Sequence, residues 1–266
     1  MLKNTSTDST RAEVVANPFP PTTHALSEPN GLLAQGGDLS SATLLLAYAQ
    51  GIFPWFEEGQ EILWWSPDPR MVLRPSDVHL SRSLKKTLRK SGWSLRYDTH
   101  FGGVISACAK ARHDQALDND TWITREMERA YVTLHQLGVA HSIEIFAGHE
   151  LVGGLYGLLI GNAFFGESMF HIETDASKAA FVALARLCVA NDIGLIDCQV
   201  HNPHLESLGA TLISRQDFEK ALRRAIKQPM ASIISNPLCV LPAFPQTLDV
   251  RLRRHCLLYT SPSPRD

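Results

Sequence analysis

His141-Ser142-Ile143-Glu144-Ile145-Phe146, Glu150-Leu151-Val152-Gly153-Gly154-Leu155-Tyr156-Gly157-Leu158-Leu159 and Ala163-Phe164-Phe165-Gly166-Glu167-Ser168-Met169 are three apolar runs with no helical pattern between them. Ala147-Gly148-His149 and Ile160-Gly161-Asn162 separate them, and glycine-bearing linkers this short can only reverse the chain. The three runs therefore read as an antiparallel meander. Upstream, Arg125 to Leu137 places Met127, Ala130, Tyr131 and Leu134 at i, i+3, i+4 and i+7, with Thr124 as N-cap and Gly138 as stop. Downstream come a helix from Ala176 to about Asn191, a strand around Asp197, a short helix near His204 to Leu208 and a last helix from Gln216 to Lys227. This order of helix, three strands, helix, strand and helix predicts an α/β (α+β) domain with a mixed, mainly antiparallel sheet flanked by helices.

The strand Gly194-Leu195-Ile196-Asp197-Cys198-Gln199-Val200 sets a carboxylate and an amide two residues apart among apolar neighbours. Strand side chains alternate faces and rise ~3.3 Å per residue, so Asp197 and Gln199 share one face about 6.6 Å apart. A half-buried carboxylate without partners costs several kcal/mol, roughly, so the pair either satisfies a neighbouring loop or faces a reacting group. Glu167, in the aromatic surround Phe164-Phe165-Gly166-Glu167-Ser168-Met169-Phe170, is a second such insertion. From these strands alone, a structural hydrogen-bond pair and a reactive site both remain open.

Composition narrows the class. The chain has 266 residues, 44% hydrophobic and 20% charged, which suits a globular enzyme of one large or two unequal domains. Cysteines at 108, 188, 198, 239 and 256 form no Cys-x-x-Cys pair, so neither a disulfide framework nor a zinc knuckle is indicated and a reducing cytoplasm fits. His201 and His204 lack a third ligand in their block, and no metal or cofactor is expected. No apolar run is long enough to span a bilayer, and the N-terminus has no secretion-signal core. A net charge of −2 argues against a general nucleic-acid coat protein but leaves room for one basic patch. Arg82, Lys85, Lys86, Arg89 and Lys90 supply it, on one face of a helix that also offers Leu84 and Leu88 and ends before Gly92. Such a row is either a solvated face or a surface that tracks phosphates.

Four segments follow from these patterns. Residues 1–17 form a Ser/Thr-rich tail. Residues 18–75, dense in Pro, Gly and Trp, form a small N-terminal domain with a helix at Ser41 to Gln50, capped by Asp38 or Ser40. Residues 76–227 carry the α/β pattern, and 228–266 are an irregular tail whose last residues, from His255, look foreign to the fold. The loop Trp64-Trp65-Ser66-Pro67-Asp68-Pro69-Arg70 offers adjacent indoles, either as packing or as a platform on which a nucleobase stacks at roughly 1–3 kcal/mol.

Several of these blocks carry a resemblance. Glu28-Pro29-Asn30-Gly31-Leu32-Leu33-Ala34, Gly36-Gly37-Asp38-Leu39-Ser40, Gly51-Ile52-Phe53-Pro54-Trp55-Phe56, Trp64 to Arg70, Thr121-Trp122-Ile123-Thr124, Gly166 to Phe170 and Asp197-Cys198-Gln199-Val200 resemble the leucyl/phenylalanyl-tRNA–protein transferase family from about Phe19 to Leu222. The resemblance implies a small N-terminal domain joined to an N-acetyltransferase-like (GNAT-like) one. It also implies transfer of Leu or Phe, and less readily Met, from aminoacyl-tRNA to an N-terminal Arg or Lys, marking that protein for degradation. The partners would then be Leu-tRNA and Phe-tRNA through their acceptor ends, with a cytoplasmic, monomeric enzyme that needs no membrane. In this frame Asp197, Gln199 and Glu167 are the catalytic candidates, with Gln199 orienting the amine and Asp197 polarising Gln199 or taking up charge. Leu155, Phe164, Phe181 and Leu184 are carried over as the aminoacyl pocket, and Trp64, Trp65, Trp122, Arg82, Lys85, Lys86 and Arg89 are the tRNA-binding candidates.

The chain departs from that pattern at Asp120, where members usually have Gly, inside an acidic loop from Asp114 to Asp120. An acyl-CoA N-acetyltransferase would need a glycine-rich turn for a pyrophosphate after Met169, yet the chain reads Phe170-His171-Ile172-Glu173-Thr174-Asp175. A non-catalytic tRNA-binding protein would have no reason to set Asp197, Gln199 and Glu167 among apolar residues.

Overall fold

The computed structural model describes residues 17–115 and 123–227. Its centre is a seven-stranded sheet in the order β10-β4-β9-β8-β7-β6-β5. The expected meander is there as β6 (Ala140–Ala147), β7 (Glu150–Ile160) and β8 (Ala163–His171), each pair antiparallel. Strand β9 (Leu195–Gln199) returns parallel to β8 after α5 (Ala176–Ala190), a crossover that needs a helix between the strands. Strand β7 is buried on both faces, which explains its unbroken apolar run. It also explains Gly157, where a Cβ would fall 2.1 Å from the Phe165 carbonyl oxygen.

Each face of the sheet carries its own core. Helix α5 covers one face, where Phe181 and Leu184 pack with Leu155, Phe164 and Ile196, and α2 (Arg82–Lys90) adds Leu84 and Leu88. Ten of its residues are buried and five of those are Ala, so its backbone can lie close on the strands. The other face is covered by α1 (Ser41–Ala49), α3 (Phe101–Gln115), α4 (Arg125–Gln136) and α7 (Arg215–Ile226), which bring Leu44, Tyr48, Val104, Tyr131 and Phe218 onto Phe165 and Tyr156. Ser40, Ser81, Thr124 and Ser214 cap α1, α2, α4 and α7, each accepting from a backbone N–H of the first turn. A small antiparallel sheet, β1 (Leu32–Gln35), β3 (Leu63–Trp65) and β2 (Phe53–Pro54) in the order β1-β3-β2, precedes the large one and shares the second core.

Besides the three short strands of the small sheet, four elements in and around the large sheet were absent from the sequence reading. Strand β4 (Arg70–Leu73), placed there in a loop of the small N-terminal domain, sits inside the large sheet between β9 and β10 (Thr211–Ile213). All four of its residues are buried, so it shows no alternation by which to recognise it. Strand β10 is three residues long, and β5 (Ser94–Tyr97) is four. Helix α3 carries Phe101, Val104, Ile105 and Cys108 on one face, a stripe obscured by Gly102-Gly103 at its start. It takes in Asp114 and Gln115, which the sequence placed in an acidic loop, and the rest of that stretch lies outside the described residues.

Candidate active site

Strands β8 and β9 hold register through Ala163 with Leu195, Phe164 with Ile196 and Phe165 with Asp197, and then part. Both strands bulge at that point. Ser168 faces Tyr156 and Gly166 faces Gly157, leaving Glu167 unopposed, while Gln199 faces Met71 and Asp197 faces Val72, leaving Cys198 unopposed. Bulges re-aim side chains and end pairing. Gln199 also has φ 63°, in the left-handed region that a non-glycine residue enters only where its surroundings hold it. The opening between the strands is a cavity of about 280 Å³. Leu155, Phe181, Leu184, Ile196 and Cys198 wall it from the α5 side; Tyr156, Glu167, Ser168 and Gln199 wall it near the second core, and Phe53, Pro54 and Trp55 come from the small sheet. One cavity thus has an apolar end and a polar end.

The polar end is a closed hydrogen-bond network. Glu167 Oε1 accepts from Tyr48 Oη at 2.8 Å and from Gln199 Nε2 at 2.8 Å, and its Oε2 accepts from Tyr131 Oη at 2.9 Å. The two tyrosine hydroxyls also bond each other. Burial pushes the Glu167 carboxyl from its ordinary 4.5 up to about 7, against the opposing pull of the Tyr48 and Tyr131 hydrogen bonds. Burial, followed by the Glu167 charge, drives both phenols well above their ordinary value. Because Nε2 of Gln199 is tied to Glu167, its Oε1 is the end of the amide left to receive a donor.

Asp197 stands differently from the expectation. Arg70 Nε donates to Oδ1 at 2.8 Å and Nη2 to Oδ2 at 2.6 Å, with both side chains wholly buried. The guanidinium lies between the rings of Phe53 and Phe218, 4.7 and 4.6 Å from their centroids. Asp197 Oδ1 also accepts from the backbone N–H of Gln199 at 2.9 Å. It therefore holds the Gln199 peptide in its unusual conformation, its bonds going to Arg70 and to that backbone N–H. The shared face of Asp197 and Gln199 is as expected, but a bidentate cation already neutralises the carboxylate.

Of the four aminoacyl-pocket candidates, Leu155, Phe181 and Leu184 line the cavity and Phe164 does not. Phe164 pairs with Ile196 before the strands part, so its ring packs behind the wall, beside a separate void that it shares with Tyr97, Ile143 and Leu187. Among the aromatic candidates, Trp64 is 1% exposed, donates through Nε1 to the Gly36 carbonyl and meets Phe19 edge-on, so it is core and offers no face to a base. Trp65 is half-buried and donates through Nε1 to the carbonyl of Trp55, with the two rings 5.8 Å apart. Trp55, 43% exposed and at the cavity rim, is the indole the sequence reading passed over. Trp122 lies outside the described residues. Arg82, Lys85, Lys86 and Arg89 are all exposed on α2, on the same side of the sheet as the apolar end of the cavity.

Sequence reasoning also missed Arg70, Tyr48 and Tyr131 as site residues. The two tyrosines had signals, standing on apolar helix faces where a hydroxyl needs a partner. Arg70 had none beyond its position before Met71-Val72-Leu73.

Comparison with known proteins places the chain in a family. Residues 72–223 match the leucyl/phenylalanyl-tRNA protein transferase family and residues 37–68 match its N-terminal domain. The leucyl/phenylalanyl-tRNA–protein transferase of Hahella chejuensis is 57% identical over 209 residues, covering 79% of this chain and 88% of that one. The enzyme of the same name from Nitrosomonas europaea is 58% identical over 207 residues, covering 78% and 86%, and that of Pseudomonas fluorescens 54% over 211 residues, covering 79% and 92%. The chain belongs to the leucyl/phenylalanyl-tRNA–protein transferase family and is an aminoacyltransferase that moves aminoacyl groups from tRNA to proteins.

Proposed function

We propose that this enzyme takes Leu or Phe, and less readily Met, from its tRNA and joins it to the α-amino group of proteins beginning with Arg or Lys, marking them for degradation in the cytoplasm. The observation that carries this reading is the single cavity with Leu155, Phe181 and Leu184 at one end and Glu167 and Gln199 at the other. An apolar end of that kind grades side chains by size and shape, at roughly 1–3 kcal/mol per methylene. In this reading the enzyme acts as a monomer, and it needs neither cofactor nor metal because an aminoacyl ester is already activated. A peptide α-amino group titrates near ~7.7–8.0, so a sizeable minority is unprotonated at neutral pH. What remains is to hold the amine against the ester and to stabilise developing charge.

Each residue takes a part in that task. Gln199 Oε1, its amide fixed by Glu167, accepts a hydrogen bond from the amine and aims the nitrogen lone pair at the ester carbonyl. Glu167, near its midpoint at neutral pH, becomes more fully ionised when a cationic N-terminus approaches, and so favours Arg or Lys. Asp197 and Arg70 act from behind, as the support of the Gln199 backbone. Trp55 and Trp65 offer indole faces to the terminal adenosine, and the α2 row of Arg82, Lys85, Lys86 and Arg89 tracks the tRNA backbone.

Incubation with Phe-tRNA or Leu-tRNA carrying labelled amino acid and peptides beginning with Arg, Lys, Ala or Glu tests this. Label should enter the Arg and Lys peptides. Equal labelling of the Ala peptide would reject the acceptor assignment, and transfer of Val as fast as of Phe would reject the pocket.

A further inference from the structure

Ser168 follows Glu167 on β8, faces Tyr156 across the strand pair and lines the cavity. It is 7% exposed, and its Oγ is buried with no hydrogen-bond partner among the described residues. Native proteins leave few buried hydroxyls in that condition, and those that persist call for a reason. Most of the polar groups around it are engaged. Glu167 accepts three hydrogen bonds, Gln199 Nε2 donates to Glu167, and both Asp197 oxygens hold Arg70. Asn202, at the half-buried rim, uses its Oδ1 to cap the short helix at Pro203–Glu206. The free ends offered at the polar side are therefore mostly acceptors, suited to the amine. The Asn202 amide N–H groups lie out at the rim, so the Ser168 hydroxyl, opposite Tyr156, is the donor we single out for the negative oxygen that forms when the ester is attacked.

We propose that Ser168 is a catalytic residue whose hydroxyl donates a hydrogen bond to that oxyanion. The inference rests on the reading that transfer takes place in this cavity. In the step concerned, the acceptor's amine nitrogen bonds to the ester carbonyl carbon and the carbon–oxygen π pair moves onto oxygen, where the Ser168 O–H meets it. The pair then returns, the bond to the ribose oxygen breaks, and that oxygen leaves with the proton lost from nitrogen. The products are an amide and a tRNA with a free terminal hydroxyl. A serine side chain turns about one torsion among three staggered wells, so the donor swings to the oxygen without displacing backbone. A hydroxyl with no internal partner is also free of any bond it must first break.

The test is steady-state transfer of Phe from Phe-tRNA to an Arg-starting peptide by Ser168→Ala, with Ser168→Cys as a same-shaped, weak donor. Loss of one oxyanion donor should lower kcat by about 10²-fold or more, with Ser168→Cys in between and both KM values little changed. The thermal midpoint should not fall, because no internal hydrogen bond is lost. An unchanged kcat, an effect confined to KM, or a lowered midpoint in Ser168→Ala would each overturn the proposal. If Ser168→Ala keeps full activity while Gln199→Ala is inactive, the donor assignment fails and the cavity reading stands. Should Gln199→Ala also remain fully active, the cavity reading fails with it.

Discussion

Replacing Glu167 by Gln removes a buried carboxyl that titrates near neutrality, and the consequence for stability has a definite sign. Glu167 protonates at about 7 in the folded protein against an ordinary 4.5, so between those values the folded chain binds more protons than the unfolded one. Stability contributed by the protonated carboxyl is fully present below pH 4.5 and is lost as pH rises through about 7. At ~1.36 kcal/mol per decade the whole change is about 3 kcal/mol in order of magnitude. Glu167→Gln keeps the volume and does not titrate, while the other groups contribute alike to both proteins and cancel in the difference. Urea unfolding of both proteins from pH 4.5 to 8 should show the wild type losing about 3 kcal/mol relative to the variant across that span. A difference independent of pH would mean that the carboxyl titrates alike in both states, and the account of Glu167 as a half-ionised group at neutral pH would go with it. A difference that moves the other way would mean that the tyrosine hydrogen bonds outweigh burial.

Three further outcomes are expected. Arg70→Met strands the Asp197 charge in a wholly buried position, so it should destabilise by roughly 3–5 kcal/mol in urea unfolding. The double replacement Arg70→Met with Asp197→Leu should recover much of that loss, and a double variant less stable than the single would contradict it. Joint replacement of Arg82, Lys85, Lys86 and Arg89 by Ala should flatten the plot of log affinity for aminoacyl-tRNA against log salt by about 0.7–0.9 per phosphate contact removed, whereas an unchanged slope would leave α2 as a solvated face. Phe181→Ala opens the cavity wall and should shift the ratio of Leu to bulkier donors, measured by competition between charged tRNAs. Phe164→Ala, one layer behind, should lower stability by about 3–5 kcal/mol with far less effect on that ratio.

The sequence by itself determined what local periodicity can carry. The meander of β6, β7 and β8 was legible because glycine-bearing reversals leave only antiparallel neighbours. The common face of Asp197 and Gln199 followed from a period of two, the basic face of α2 from 3.6, and the caps at Ser40 and Thr124 from the chemistry of helix starts. Tertiary structure alone decided which groups meet. Arg70 reaches Asp197 across 127 positions because β4 slots in beside β9, and a strand buried on both faces carries no pattern to announce it. Tyr48 and Tyr131 converge on Glu167 from two helices whose apolar stripes record burial and not its partner. The bulges at Glu167 and Cys198 open the sheet just beyond Phe165 and Asp197, which puts Phe181 on the wall and Phe164 behind it. Side chains that share a strand or helix face are fixed by backbone repeat, whereas a site made where separate elements cross depends on register and on the point at which pairing ends.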